Sequence, residues 1–163
     1  MFRHPTIQDA PKIWQLVKDS GTLDLNSTYC YLILCKHFMD TCLVAGNNDE
    51  ILAFVTGYRL PAAPHSLFIW QIAVSPQARG QGLALSMLKE LLRRNADYNK
   101  ITSLETTVSP SNTASRALFA ALARELNTEL IETPGFEEPL FPAGNHEAEP
   151  FLRLGPFEVE KLL

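Results

Sequence analysis

Apolar and polar positions along the chain recur with two different periods. Over Thr6–Ser20, Ile13, Leu16 and Val17 fall on one helical face, Asp9 suits the opening turn, and Gly21 closes the run. Leu23-Asp24-Leu25-Asn26-Ser27 is polar and turn-like, and Asn26 or Ser27 can cap a second helix over Thr28–Phe38. The period then shortens. Thr41–Ala45 and Ile51–Tyr58 are β-rich runs joined by Gly46-Asn47-Asn48-Asp49, a hairpin composition. Leu67–Val74 is almost continuously apolar and stops at Ser75-Pro76, which predicts a strand buried on both faces. Gly82–Arg94 returns to helical spacing, with Leu83, Ala84, Met87, Leu88, Leu91 and Leu92 on one side and charges on the other. Ser103–Val108 is a further strand, halted by Pro110. Asn112–Leu126 is a helix with Ala114, Leu118, Ala121 and Leu122 as its stripe. The rest is broken by Pro134, Gly135, Pro139, Pro142, Gly144 and Pro150, with short strands expected near Glu129–Thr133 and Phe151–Leu154.

Hairpin-linked strands followed by β-helix-β crossovers predict an α/β (α+β) fold, a mixed sheet with helices on both faces. A chain of 163 residues has the size of one domain, so residues 1–163 are read as a single unit. The longest apolar run, Tyr29–Cys35, is far shorter than a membrane span, and Asp9 and Lys12 interrupt any signal-like stretch after Met1. Cys30, Cys35 and Cys42 contain no C-x-x-C, so they read as buried thiols in a reducing cytoplasm rather than as disulfides or a zinc site. The net charge of −4 is uneven: residues 1–124 hold 12 basic against 9 acidic side chains, and residues 125–163 hold 2 against 9. That balance disfavours nucleic acid, and it suits either a solvated acidic surface or a cationic substrate meeting an anionic cofactor.

The most informative segment is Gln77-Ala78-Arg79-Gly80-Gln81-Gly82-Leu83-Ala84, between a buried strand and an amphipathic helix. Glycines there allow a tight turn whose amides converge at a helix N-terminus, where the dipole favours an anion, and Arg79 adds a fork-shaped charge. A dinucleotide fingerprint fails because its sixth position is Leu85, and a nucleoside-triphosphate loop fails because no Lys follows Gly82.

The pattern [Q/R]-x-x-G-x-[G/A], met by Gln77, Gly80 and Gly82, resembles the pyrophosphate loop of the GCN5-related N-acetyltransferases (GNAT). In that superfamily the loop follows the fourth strand. With a short first strand at Phe2-Arg3, Leu67–Val74 takes that place. Asn112-x-x-Ser115-x-x-x-Phe119 resembles the superfamily's Asn-x-x-Ala-x-x-x-Tyr helix along the pantetheine arm. A narrower resemblance spans almost the whole chain. Residues 23–32, Phe68–Val74, Leu104–Val108 and Phe151–Pro156 are similar to the diaminobutyrate acetyltransferases of ectoine biosynthesis. The resemblance implies a GNAT-like, mostly antiparallel sheet and a cytoplasmic homodimer without a metal. It also implies acetyl transfer from acetyl-CoA to the γ-amino group of L-2,4-diaminobutyrate. Contacts to acetyl-CoA would come from Ile72, Ala73, Val74, Gln77, Arg79, Gly80, Gln81, Gly82, Leu83, Ala84, Asn112, Ser115 and Phe119. Two rival readings are acetylation of another amine, such as a polyamine or peptide N-terminus, and a non-catalytic CoA-binding module.

The chemistry limits who can act. An ammonium with a Lys-like pKa of ~10.4 cannot attack until a base takes its proton. The oxyanion that follows needs N–H donors, expected from the backbone around Ile72 to Val74. The superfamily often has Tyr where this chain has Phe119, so either the thiolate leaves unassisted or Tyr29, Tyr31 or Ser115 protonates it. Holding two amines and a carboxylate needs anions and donors. Asp24 is the first candidate for an amine and Glu149 the second, each with a rival life as a turn or surface carboxylate. Glu149, His146 and Tyr29 are the candidate catalytic side chains, His146 because a neutral imidazole accepts a proton near pH 7. Trp70 is either a pocket wall with cation–π attraction or core. Thr106 is a further candidate for the substrate pocket, but of Thr106 and Thr107 only one can face the cleft, and the pattern leaves open which. Ser27 could donate to the substrate carboxylate, although a cap role explains it equally well.

Overall fold

A computed structural model describes residues 1–47, 49–96, 100–142 and 144–159. Asn48 of the expected hairpin loop lies outside the described residues. Among the described residues, seven strands form one sheet: β1 (Phe2–Arg3), β2 (Leu43–Gly46), β3 (Ile51–Leu60), β4 (Ala63–Val74), β5 (Ser103–Thr107), β6 (Leu130–Phe136) and β7 (Glu149–Leu154). The spatial order is β1-β2-β3-β4-β5-β7-β6, and every neighbouring pair is antiparallel except β4 with β5.

Among the described residues four α-helices cover the two faces, as the periodicity predicts. On one side, α1 (Ala10–Ser20) and α2 (Thr28–His37) bury Ile13, Val17, Tyr31 and Leu34 against Val44, Phe54 and Ala73. On the other, α3 (Leu83–Arg94) and α4 (Thr113–Glu125) bury Met87, Leu88, Leu91, Phe119 and Leu122 against Leu43, Val55, Leu67, Leu104 and Leu152. The alternation of Phe54 and Val55 between the two cores is the strand period at work. Helix ends follow local chemistry: Gly21 ends α1 in the left-handed conformation, and the Ser27 side chain accepts from the Cys30 amide to cap α2.

Several boundaries differ from the pattern for physical reasons. β2 starts at Leu43 because Thr41 belongs to a 3-10 turn, its hydroxyl donating to the Gly57 carbonyl at 2.7 Å. β4 begins four residues before Leu67 because Leu60 pairs with Ala63. It is buried on both faces only in part, since Trp70 is 41% exposed. The stripe of α4 is Phe119, Leu122 and Ala123, with Leu126 just beyond; Ala114 is exposed. β6 runs through Pro134 to Phe136, which the sheet tolerates because β6 is its outermost strand. Glu149 opens β7 rather than ending a loop. Cys35 and Cys42 are free and buried, and burial pushes both thiols up to about 12. Among the described residues no helix is long and apolar enough to cross a membrane.

Candidate active site

The parallel pair defines the site. β4 and β5 are in register only from Ser66–Ser103 to Ile69–Thr106, whereas β4 continues to Val74. A cavity of about 620 Å³ opens where the strands part, lined by Ile69–Ile72 on one side and Glu105–Ser109 on the other. At the same point β4 carries a bulge: Thr56 pairs with Gln71 and Gly57 with Ile69, leaving Trp70 as the extra residue. The bulge turns the Trp70 ring into the cavity wall rather than the core.

Beyond the bulge the direction of the backbone amides can be followed. The Gln71 amide donates to the Thr56 hydroxyl and the Ser75 amide to the Leu52 carbonyl, both toward β3. Strand alternation sends the Ala73 amide the same way and turns those of Ile72 and Val74 toward the edge that β5 has left. Ile72 and Val74 therefore offer the donors expected for an oxyanion, and Ala73 does not.

At the far end of the cavity three side chains converge. His146 Nε2 lies 2.9 Å from Asp24 Oδ2 and 3.6 Å from Glu149 Oε1. Its Nδ1 is 2.7 Å from the Glu147 carbonyl, so both ring nitrogens face acceptors and the arrangement is that of an imidazolium donating at each; loss of the Nε2 hydrogen turns that atom into the acceptor. The ring stacks on Phe141 with centroids 3.9 Å apart. The Glu147 carbonyl raises the imidazolium above its ordinary pKa; desolvation opposes this, and Asp24 and Glu149 add to the rise. Glu149 is fixed from behind by the Thr107 hydroxyl, which donates to Oε2 at 2.6 Å. Thr106 points the other way and donates to the Ile69 carbonyl at 2.9 Å. Thr107, not Thr106, is thus the threonine that serves the acidic end.

At the α4 end, Asn112, Ser115 and the fully buried Phe119 line the cavity. The Asn112 side chain also accepts from the Ser115 amide and so caps α4. Gln77, Arg79, Gly80, Gln81 and Gly82 lie in a separate segment leading into α3, whose first two residues are Leu83 and Ala84. Gly80 and Gly82 have φ of +76° and +70°, and a Cβ added at either would meet nothing within 4 Å. The conformation suits glycine, and the space in front of it is open. The first-turn amides of α3 have no intrahelical acceptor, so the loop fits a diphosphate. Arg79 turns back to donate to the Val74 carbonyl at 3.1 Å, and Gln77 donates to Glu50 at 2.6 Å.

Three candidates fall elsewhere. Ser27 caps α2 and is not part of the cavity lining; Tyr29 is 71% exposed and also lies outside it. Tyr31 is buried and donates to Gln71 Oε1, so its hydroxyl does not face the acyl site. Sequence reasoning passed over Gln71 and Glu105, together with an aromatic wall of Tyr58, Phe136, Phe141 and Phe151. Strand alternation could have flagged Glu105, a carboxylate in an otherwise buried strand. Nothing local marks the aromatic wall, which four separate segments build.

The profile of the acetyltransferase (GNAT) family matches residues 10–123. The chain belongs to that family. Within it, the chain is 45% identical over 157 residues to the L-2,4-diaminobutyric acid acetyltransferase of Marinococcus halophilus, covering 96% of this chain and 90% of that protein. It is 42% identical to the enzyme of that name from Nocardia farcinica, over 98% of this chain and 82% of the other. The solved structure of the diaminobutyrate acetyltransferase EctA from Paenibacillus lautus, in complex with its substrate L-2,4-diaminobutyric acid and coenzyme A, superposes with a TM-score of 0.91. Its identity is 42%, covering 96% of this chain and 95% of that one. The GNAT fold expected from the glycine loop and the α4 motif is the fold observed.

Proposed function

We propose that this chain transfers acetyl from acetyl-CoA to the γ-amino group of L-2,4-diaminobutyrate in one ternary complex, yielding the N-γ-acetyl product of ectoine biosynthesis. The observation that carries the reading is the convergence of Asp24, His146 and Glu149 at one end of a cavity whose other end adjoins the α4 motif. Two carboxylates and an imidazole within 4.8 Å of one another suit a dication bearing one carboxylate better than they suit a monoamine. The similarity to diaminobutyrate acetyltransferases supports the same substrate.

Acetyl-CoA supplies an activated thioester, so no covalent enzyme intermediate is required. Gly80, Gly82 and the α3 amides hold its diphosphate, while Asn112, Ser115 and Phe119 border its pantetheine arm. His146 Nε2, backed by Glu149, takes the proton from the γ-ammonium, and Asp24 holds the α-ammonium. The amides of Ile72 and Val74 meet the oxyanion. Trp70 walls the amine pocket. Phe119 has no proton to give, so the thiolate leaves without an acid from that position; a thiol pKa of ~8.5 makes it a competent leaving group. Residues 1–163 act as one domain, in the cytoplasm and as a homodimer; the exposed Leu25, Tyr29, Phe38 and Met39 give apolar surface for pairing.

The direct test combines protein, acetyl-CoA and diaminobutyrate, measures released thiol, and assigns the acetylated nitrogen by NMR. Release with acetyl on the γ-nitrogen, lost when 1,3-diaminopropane replaces the amino acid, supports the reading. Equal turnover of the diamine without a carboxylate favours a general amine acetylase, and no release favours a CoA-binding module.

A further inference from the structure

Gln71 sits in β4 immediately after the bulge and is 5% exposed. Its Nε2 donates to the main-chain carbonyl of Asp24 at 2.8 Å, and its Oε1 accepts from the Tyr31 hydroxyl at 2.9 Å. Tyr31 comes from α2 and is fully buried; Asn26 donors also face its hydroxyl. The amide cannot be reversed, because Oε1 would then oppose the Asp24 carbonyl oxygen. Residues 24–27, around Asp24, have no regular secondary structure of their own. The Asp24 side chain is 73% exposed, and the hydrogen bond it makes is to His146. Where the Asp24 carboxylate stands is therefore set by its main chain, and Gln71 ties that main chain to the sheet.

The same two residues of β4 also face the reaction. The Ile72 amide points into the cleft, and its chain neighbour Gln71 reaches back to Asp24. One short stretch of strand thus spans the acyl end and the amine end of the site. We propose that the buried Gln71–Tyr31 pair is a positioning device that fixes the span between the acyl-transfer strand and the Asp24 carboxylate, and so selects an α,ω-diamino acid by its carbon count. The proposal rests on the reading that Asp24 holds the α-ammonium. Gln71 borders the cavity, but its amide oxygen and nitrogen bond Tyr31 and the Asp24 main chain, so the pair acts through Asp24, and misplacement of a positioning group by about 1 Å is enough to lower rate or affinity strongly.

Steady-state kinetics of Gln71→Leu and Tyr31→Phe, with diaminobutyrate and with its one-carbon-longer homologue 2,5-diaminopentanoate, test the pair. Thr41→Val serves as a control, removing buried hydrogen bonds to the Phe38 and Gly57 carbonyls outside the cavity lining. Gln71→Leu is expected to raise KM for diaminobutyrate about tenfold with kcat within about threefold, in line with loss of one well-placed hydrogen bond. Discrimination against the longer homologue should fall with it, while the Kd for coenzyme A stays unchanged by calorimetry. Tyr31→Phe should move both quantities in the same direction by less, and it carries the test alone if Gln71→Leu does not fold. Thr41→Val should lower Tm and leave KM and discrimination in place. Gln71→Leu or Tyr31→Phe proteins that lose Tm like the control yet keep KM and discrimination within twofold would overturn the proposal. Asp24→Asn separates the two levels: unchanged KM there sinks the underlying reading, whereas a raised KM there with unaltered Gln71→Leu sinks only the positioning role.

Discussion

Glu149→Gln isolates the charge of one carboxylate while keeping its shape and an acceptor for the Thr107 hydroxyl. The positive charge that His146 gains on taking the γ-proton lies 3.6 Å from Glu149 Oε1, measured at Nε2. At an effective dielectric constant of about 20 that pair is worth about 4–5 kcal/mol. The Glu149 side chain is 24% exposed, so water screens part of the attraction. Halving the figure leaves about 2 kcal/mol, a loss of ~30-fold in kcat/KM for diaminobutyrate. Released thiol measured against diaminobutyrate concentration, at saturating acetyl-CoA, reads this directly. KM for acetyl-CoA should not move, because the glycine loop is remote from the substitution. A kcat/KM for diaminobutyrate within twofold of the parent would refute the assignment, as would an equal penalty on both substrates.

Gly82→Val places a side chain in the open space before α3 at a φ of +70°. Stability should fall by about 1–2 kcal/mol in thermal melts, and coenzyme A affinity by at least tenfold in calorimetry. The raised imidazolium pKa of His146 acts in opposite directions on stability and activity. The contacts of the protonated ring with the Glu147 carbonyl, Asp24 and Glu149 stabilise the fold below the ordinary His value of ~6.5, and that contribution is lost as pH rises through the raised value. Catalysis needs Nε2 unprotonated, so kcat/KM should climb over that same window, and His146→Gln should abolish this limb of the pH profile. Phe119→Tyr adds the hydroxyl that the superfamily often carries; kcat should stay within about threefold if the thiolate leaves unaided, and a larger gain in the thiol-release assay would show that an acid was missing.

The elements that a short sequence window determines were legible. The α3 face, the Ser27 cap, the Gly21 stop and the glycine loop each depend on neighbours within a few residues, and each appears where its pattern lies. Features created by pairing were not. Nothing in Phe68-Ile69-Trp70-Gln71 announces that Trp70 will be the extra residue, because a bulge is a mismatch between two strands and belongs to neither. β4 extends back to Ala63 and β6 forward across Pro134 because partners hold them, against their own composition. The site divides the same way. Asp24, His146, Glu149 and Trp70 were recognisable as residue types and meet at one cavity. Choosing Thr107 over Thr106 required the partners that β4 and β7 bring to β5, and Gln71 looked like an ordinary polar strand residue until its two partners, 47 and 40 positions away, were in place.

The parting of β4 and β5 beyond Ile69 sets this architecture against itself. Zipping the two strands together to Val74 would add hydrogen bonds and please any thermostability screen, yet every added rung would seal the gap through which donor and acceptor meet. Gains in heat resistance must therefore be sought at the periphery, in places such as the exposed β6 border or the α1 surface. Variants selected only for melting temperature should drift toward a tighter, silent sheet.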